Sequence, residues 1–431
     1  MSIPLDRLYN FLDSSVDHDV VIYGWTPHGS TNLKDFNPLK PIPKLWHEKK
    51  THFSLIFHDQ EPLNYELTQC QIDNEFCELI KDTDDFDLRS APLLIDFYKK
   101  MHIRSVMLDT FYDLTLLVHS EKNSHQVTKF EQNNFVSVYY WSHAVIARDW
   151  FRFAEHDPLL QQKSDNAKTF LIYNRAWSGT REYRLKFIEL LVDAGLVQDC
   201  ITSFTEFEND LRYTNLSFKN FKFKPSRSDL EIILPKNNHS SSSSADYNNA
   251  DYQNSMIEVV LETIFDDTRH HLTEKSLRPI ACGHPFILVS TPGILQYLRD
   301  YGFKTFNEFI NESYDTIQDG RSRLDSIIQE MQRISNLSNQ EKHQLVIDMQ
   351  AIADHNQKLF FSKTFQEQLI TEFKQNLNDA VAKVKLGPIK VSWDYVKTVT
   401  KEHYPEIYLK TLPSLENLAW ADAWMRNQAK S

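Results

Sequence analysis

Two groups of polar residues have types and spacing suited to chemistry on a phosphorylated ligand. The first is Asn174-Arg175 with Arg181 and Arg184. Arg181 and Arg184 stand i, i+3, so on a helix they share a face. Three guanidiniums beside a strand end and a helix N-terminus form an anion site, and their forked donors match phosphate oxygens. The same arginines also read as a solvated helix face, ion-paired to Glu182 and Glu189. The second group is Thr273-Glu274-Lys275-Ser276, followed by Arg278-Pro279 and Gly283-His284-Pro285-Phe286. A helix beginning there offers its first amides and its dipole to a diphosphate. Lys275 adds a point charge, and Glu274 an acceptor for ribose hydroxyls. The plainer reading is a helix cap, with Thr273 at the N-cap and Glu274 in the first turn.

A transfer to a hydroxyl also needs a group that takes its proton. Asp59 and Glu61 lie just after an apolar run and are the first candidates, with Glu121 next. His58 and His143, together with Trp25 and Trp141, fall in polar loops after apolar runs and are the candidates for holding an acceptor. Trp177 sits at a comparable place. Each of these residues also has a structural reading as a cap, an ion-pair partner or a packed aromatic.

Positioning such residues needs strands that end together. Asp19–Tyr23, His52–Phe57, Leu114–His119 and Val136–Tyr140 are apolar runs of strand length, each followed by a polar loop. Helical stretches separate the runs, which predicts parallel sheets covered by helices. Ligands bind at the carboxyl ends of such strands. Gln161–Lys168 is polar and reads as a linker, after which the pattern restarts. Thr169–Tyr173 is a strand, and a helix follows from Arg181 to Ala194 with Gly195 at its end. Asn237–Asn254 is rich in Ser and Asn and reads as an exposed insertion. Met256–Phe265, the helix Thr273–Cys282, the strand Pro285–Val289 and the helix Ile294–Tyr301 then make a compact βαβα unit. From Ser322 to about Asn378 the pattern is helical, and Trp393, Trp420 and Trp424 mark the tail.

Composition excludes several classes. With 431 residues the chain suggests two or three domains. Only 9 glycines occur, and neither G-x-G-x-x-G nor G-x-x-x-x-G-K-[ST] is present, which argues against a dinucleotide enzyme or P-loop NTPase. G-x-S-x-G is missing too. The formal net charge of −12 argues mildly against a duplex DNA partner. Cys70, Cys77, Cys200 and Cys282 fit no zinc spacing and no disulfide framework. No run of 18 apolar residues exists, and the N-terminus has no secretory pattern, so the expected setting is cytoplasmic, with no membrane span.

The segment Leu272–Tyr314, LTEKSLRPIACGHPFILVSTPGILQYLRDYGFKTFNEFINESY, resembles the donor-binding segment of fucosyltransferase-type glycosyltransferases of the GT-B fold. A T-E-K triplet opens a helix, a G-x-P-F sequence leads into a strand, and a small-residue turn precedes the next helix. Asn174–Arg184 adds a weaker match. The resemblance implies an α/β fold with two Rossmann-like domains facing a cleft and a helical C-terminal tail. The acceptor domain would span 1–165, the nucleotide-sugar domain 166–345, and the tail 346–431, packing back on the first domain. It implies a nucleotide-diphosphate sugar, GDP- or UDP-linked, as donor and no obligatory metal. By position, Glu274 would bind the ribose, while Lys275 and Arg175 would hold the diphosphate. The acceptor would be a glycan, or a hydroxymethylated DNA base. For DNA, Lys219, Lys222, Lys224 and Arg227, interleaved with Phe218, Phe221 and Phe223, would supply the phosphate contacts and stacking. The alternative is a non-catalytic nucleotide- or carbohydrate-binding protein on the same scaffold.

Overall fold

The structure is a computed structural model that describes residues 20–25, 51–58, 61–66, 115–132, 135–160, 162–208, 210–236 and 245–383. It is a mixed α/β protein with parallel sheets and helices. Its described residues fall into two compact units. One holds Lys122–Ser124 and Trp141–Leu369; the other holds those within Tyr9–Glu121, His125–Tyr140 and Ile370–Ser431.

In the latter unit four strands pair in chain order: β1 (Val20–Trp25), β2 (Thr51–His58), β3 (Thr115–His119) and β4 (Phe135–Tyr139). All three pairings are parallel, and the register sets His58 beside His119 and His119 beside Tyr139. The polar loops after β2, β3 and β4 therefore leave the same edge of the sheet. Leu117, Val118 and Val138 are buried in this unit, as are Phe130 and Phe373.

The other unit carries β5 (Lys168–Ile172), β6 (Cys200–Thr202), β9 (Ser255–Leu261) and β10 (Phe286–Val289), with a small hairpin of β7 (Phe207–Glu208) and β8 (Leu211–Arg212). The four-stranded sheet is parallel, in the order β10-β9-β5-β6. Strands β5 and β10 read as near-continuous apolar runs, as strands buried on both faces do. Every residue of β9 and β10 is buried. The first strand, β5, is followed by β6 on one side and later by β9 on the other. The chain thus reverses direction between β5 and β9, the switch point outside which ligands bind in open parallel sheets.

Local signals set the helix ends. The helix Tyr183–Asp193 is followed by Gly195 at φ +73°, a left-handed conformation that glycine adopts without a Cβ clash. Glu274–Ala281 begins at Thr273, whose Oγ1 accepts from the Lys275 amide. The expected helical region consists of Gly320–Ser335, Asn339–Phe361 and Lys363–Lys383, the second opened by a Ser338–Glu341 capping box. The Ser- and Asn-rich segment differs from expectation at its end: Asn249–Gln253 is helical and Tyr252 is fully buried. Residues 237–244 and the tail tryptophans lie outside the described residues. Among the described residues no helix is long and apolar enough to cross a membrane.

Candidate functional site

The best-built site lies at the carboxyl ends of β5, β9 and β10. Its centre is Glu262, the first residue past β9 and completely buried. Its carboxylate accepts from the Thr273 amide at 3.1 Å, the Thr273 hydroxyl at 2.8 Å, the Thr263 amide at 3.0 Å and the Ser276 hydroxyl. A buried carboxylate bonded so fully is stable there, and its removal would strand several donors. These bonds fix the first turn of Glu274–Ala281 against the end of β9.

Two side chains of the helix Tyr183–Asp193 bind the strand ends together. Arg184 donates to the backbone oxygens of Ala176 at 2.8 Å, Leu261 at 2.6 Å and Glu262 at 3.0 Å. Tyr183 donates to the Glu262 oxygen at 2.5 Å. Arg184 is thereby committed to backbone carbonyls, while Arg181 is half-buried and Arg175 exposed.

At the helix start, Glu274 is 8 % exposed. One carboxylate oxygen receives Lys275 Nζ at 2.8 Å, and the other lies 3.4 Å from His143 Nδ1. Burial alone would raise the Glu274 pKa, but Lys275 and His143 together hold it well below the usual carboxylate range. His143 reaches this place because Trp141 anchors the helix Ser142–Trp150. The Trp141 indole is buried among Tyr297, Tyr301 and Phe365 and donates to the Leu272 oxygen at 3.0 Å, one residue before the cap.

Several buried polar atoms at this end of the sheet have no hydrogen-bond partner among the described residues. They include both amide atoms of Asn174, after β5, and the hydroxyls of Thr202, at the end of β6, and Thr291, after β10. Arg184 Nε and His143 Nε2 are in the same condition. Asn174 and His143 are each only 2 % exposed. An unpaired buried polar group costs about 1–3 kcal/mol. Such groups are rare and call for a physical reason, and a ligand is one. Of these, Asn174 follows β5, one of the two strands that flank the switch point.

The remaining predicted residues fall as follows. Thr273, Glu274 and Lys275 come together with His143, which was expected at the acceptor instead. Trp25 and His58 end β1 and β2. Asp59 lies outside the described residues, and Glu61 is half-buried. Glu121 is buried, and its carboxylate accepts from the Leu63 amide at 2.7 Å, tying the loop after β2 to the end of β3. Trp177 is buried and donates to the Thr205 oxygen at 2.7 Å. In the basic, aromatic stretch Phe218 and Phe223 are buried while Phe221 is 75 % exposed. Lys222 pairs with Asp266 at 2.8 Å, and Arg227 with Asp193 and Asp229 at 3.1 and 2.9 Å. Much of that positive charge is therefore met internally. Among the described residues no group of His, Cys, Asp and Glu is placed to hold a metal ion.

Sequence reasoning missed Glu262 and Thr291 as members of a site. Glu262 carries no local signal, because its partners are the helix start eleven positions on and the end of an adjacent strand. No family model, curated protein or solved structure matches the chain.

Proposed function

We propose that this protein is a glycosyltransferase that moves a sugar from a nucleotide-diphosphate donor to an acceptor hydroxyl. The observation that carries the reading is the start of Glu274–Ala281, just past the end of β9, with Lys275 beside Glu274 and His143, whose Nε2 is unpaired among the described residues, on its other side. The Lys275 ammonium suits a diphosphate, and Arg175 is exposed and adjacent in sequence to the unpaired Asn174 amide. Positive groups fixed there would stabilise the charge that develops on a departing nucleotide. The T-E-K and G-x-P-F resemblance supports the same assignment. Two parallel sheets in separate units support a pair of Rossmann-like domains of GT-B type. Glu61 and Glu121 remain the candidate bases among the described residues, with a glycan or a hydroxymethylated DNA base as acceptor.

Calorimetric titration of GDP, UDP, CDP and ADP, with and without a chelator, tests the donor assignment. Tight binding of one of them, unaffected by the chelator, is the expected result. If none binds, the donor site is wrongly assigned.

A further inference from the structure

Lys163 lies in the polar segment before β5, and its amine is held by neutral groups. Nζ donates to the backbone oxygen of Tyr252 and to His284 Nδ1, both at 2.8 Å. Among the described residues no Asp or Glu forms an ion pair with it. His284 is buried, and burial with the adjacent amine holds its pKa well below the usual range. Ser255 Oγ gives its own proton to the Asp251 backbone oxygen at 2.7 Å, so it accepts from His284 Nε2 at 3.5 Å. That network assigns the Nε2-protonated tautomer and leaves the Nδ1 lone pair for Lys163. Cys282 lies close by, and burial raises its thiol pKa, so it supplies no negative charge. Beyond the Tyr252 side chain Glu258 is already paired with Arg278. A buried ammonium without an anion is disfavoured, and burial lowers the Lys163 pKa to about 8. A neutral amine has two N–H bonds and one lone pair. The two N–H bonds match the two acceptors, and the lone pair is left over. The backbone around it is fixed, because the Ser164 amide donates to the Gln253 oxygen at 3.0 Å and the Lys168 amide to the Asn254 oxygen at 2.8 Å. Lys163 is half-buried beside exposed Gln162, Asp165 and Asn166, so a small molecule can reach it.

We infer that Lys163 is an acylation site, at which Nζ, held by Tyr252 and His284, attacks the carbonyl carbon of a small acyl phosphate. The N–C bond forms as the C–O bond to phosphorus-bound oxygen breaks. The leaving phosphate keeps that electron pair and takes the proton lost by the nitrogen, so the products are an amide and hydrogen phosphate. The amide is neutral and keeps one N–H for the two acceptors, whereas a neutral imine formed with an aldehyde keeps none. Acylation therefore suits a place that holds no anion, and it loosens the tie of Lys163 to either Tyr252 or His284.

The experiment exposes the folded full chain briefly to acetyl phosphate at pH 7.5 and measures the acetylation rate of each lysine by peptide mass spectrometry. Lys363, whose side chain is 86 % exposed, is the reference. At that pH the free-base share is about one in four for Lys163 and about one in a thousand for an ordinary lysine. Partial burial slows the reagent, and the expected result is acetylation of Lys163 about tenfold faster than Lys363, or more. The advantage should shrink more than about tenfold at pH 9.5, where Lys363 gains free base and Lys163 is already neutral. It should vanish in concentrated urea, where the contacts with Tyr252 and His284 are gone. A smaller advantage at pH 7.5, or one that persists in urea or stays constant with pH, overturns the proposal.

Discussion

The helix Glu274–Ala281 serves two buried polar clusters, one at its start and one around Arg278, and they differ in how completely they are paired. Arg278 donates to Glu258 at 2.6 Å and to the Tyr252 hydroxyl at 3.1 Å, and its guanidinium lies over the Tyr173 ring at 4.1 Å. Tyr252 donates to the other Glu258 oxygen at 2.6 Å, and Tyr173 to Asp251 at 2.7 Å. Lys163 donates to the backbone carbonyl oxygen of Tyr252 and lies against His284 Nδ1, both at 2.8 Å. Every charge there has a partner within the fold. At the helix start, by contrast, His143 keeps its buried Nε2 unpaired among the described residues. Both clusters contain carboxylates, cations and histidines, so residue type does not separate them. Saturation does: the Arg278 network is complete, while the helix start keeps a buried polar atom without a partner among the described residues.

The largest effect should come from breaking the completed cluster. Arg278→Ala leaves Glu258 buried without its cation, which should cost about 3–5 kcal/mol in denaturant unfolding. Nucleotide affinity of the folded protein should change little. A variant that kept its stability and lost nucleotide binding would reverse the roles assigned to the two ends.

Asp315 sharpens the comparison because it is buried with amide donors instead of a close cation. It accepts from Ile294 at 3.1 Å and from Leu295 at 3.3 Å. Burial outweighs those bonds and raises its pKa from 3.8 to about 6. The folded value lies above the unfolded one, so the associated stability is complete below about pH 4 and is lost as pH rises through 6. Asp315→Asn should remove that dependence. The stability difference between the two proteins should change by about 3 kcal/mol at most between pH 4 and 7. Glu274 has the opposite sign: its folded value is depressed, so its stability is present above pH 4.5 and falls in more acid solution. A flat difference curve for Asp315→Asn would mean that the backbone bonds, and not burial, govern that carboxylate.

Much of the frame was legible because it follows local rules. The runs Thr169–Tyr173 and Pro285–Val289 are near-continuously apolar, as strands buried on both faces are, and each lies within a residue of an observed strand. Thr273 was readable as a cap because capping is decided within one turn. The site was legible only in part. Arg181 and Arg184 have helical i, i+3 spacing, yet Arg181 is half-buried while Arg184 is buried and turns inward to the carbonyls of Ala176, Leu261 and Glu262. That asymmetry depends on the neighbouring strands, which spacing does not encode. Tyr252 was hidden by its polar neighbours, and Glu262 by partners that only strand pairing and the following loop bring near.

Two smaller effects test the incomplete cluster directly. Glu262→Ala strands the buried donors of Thr263, Thr273 and Ser276 and should cost about 2–3 kcal/mol. It should also weaken nucleotide binding at least tenfold, about 1.4 kcal/mol, because the helix start is no longer held to β9. Lys275→Ala should cost less than about 1 kcal/mol of stability, since its ion pair with Glu274 is partly exposed and His143 stays beside the carboxylate. Nucleotide affinity should nonetheless fall about 10- to 100-fold, equivalent to roughly 1.4–2.8 kcal/mol. The ratio of those two losses is the discriminating quantity, because a residue that serves the fold loses stability first and a residue that serves a ligand loses affinity first. Denaturant unfolding and calorimetry on the same preparation measure both. If Lys275→Ala unfolds readily and binds nucleotide normally, the Glu274 end is a second structural lock like that of Arg278, and the donor must be held elsewhere.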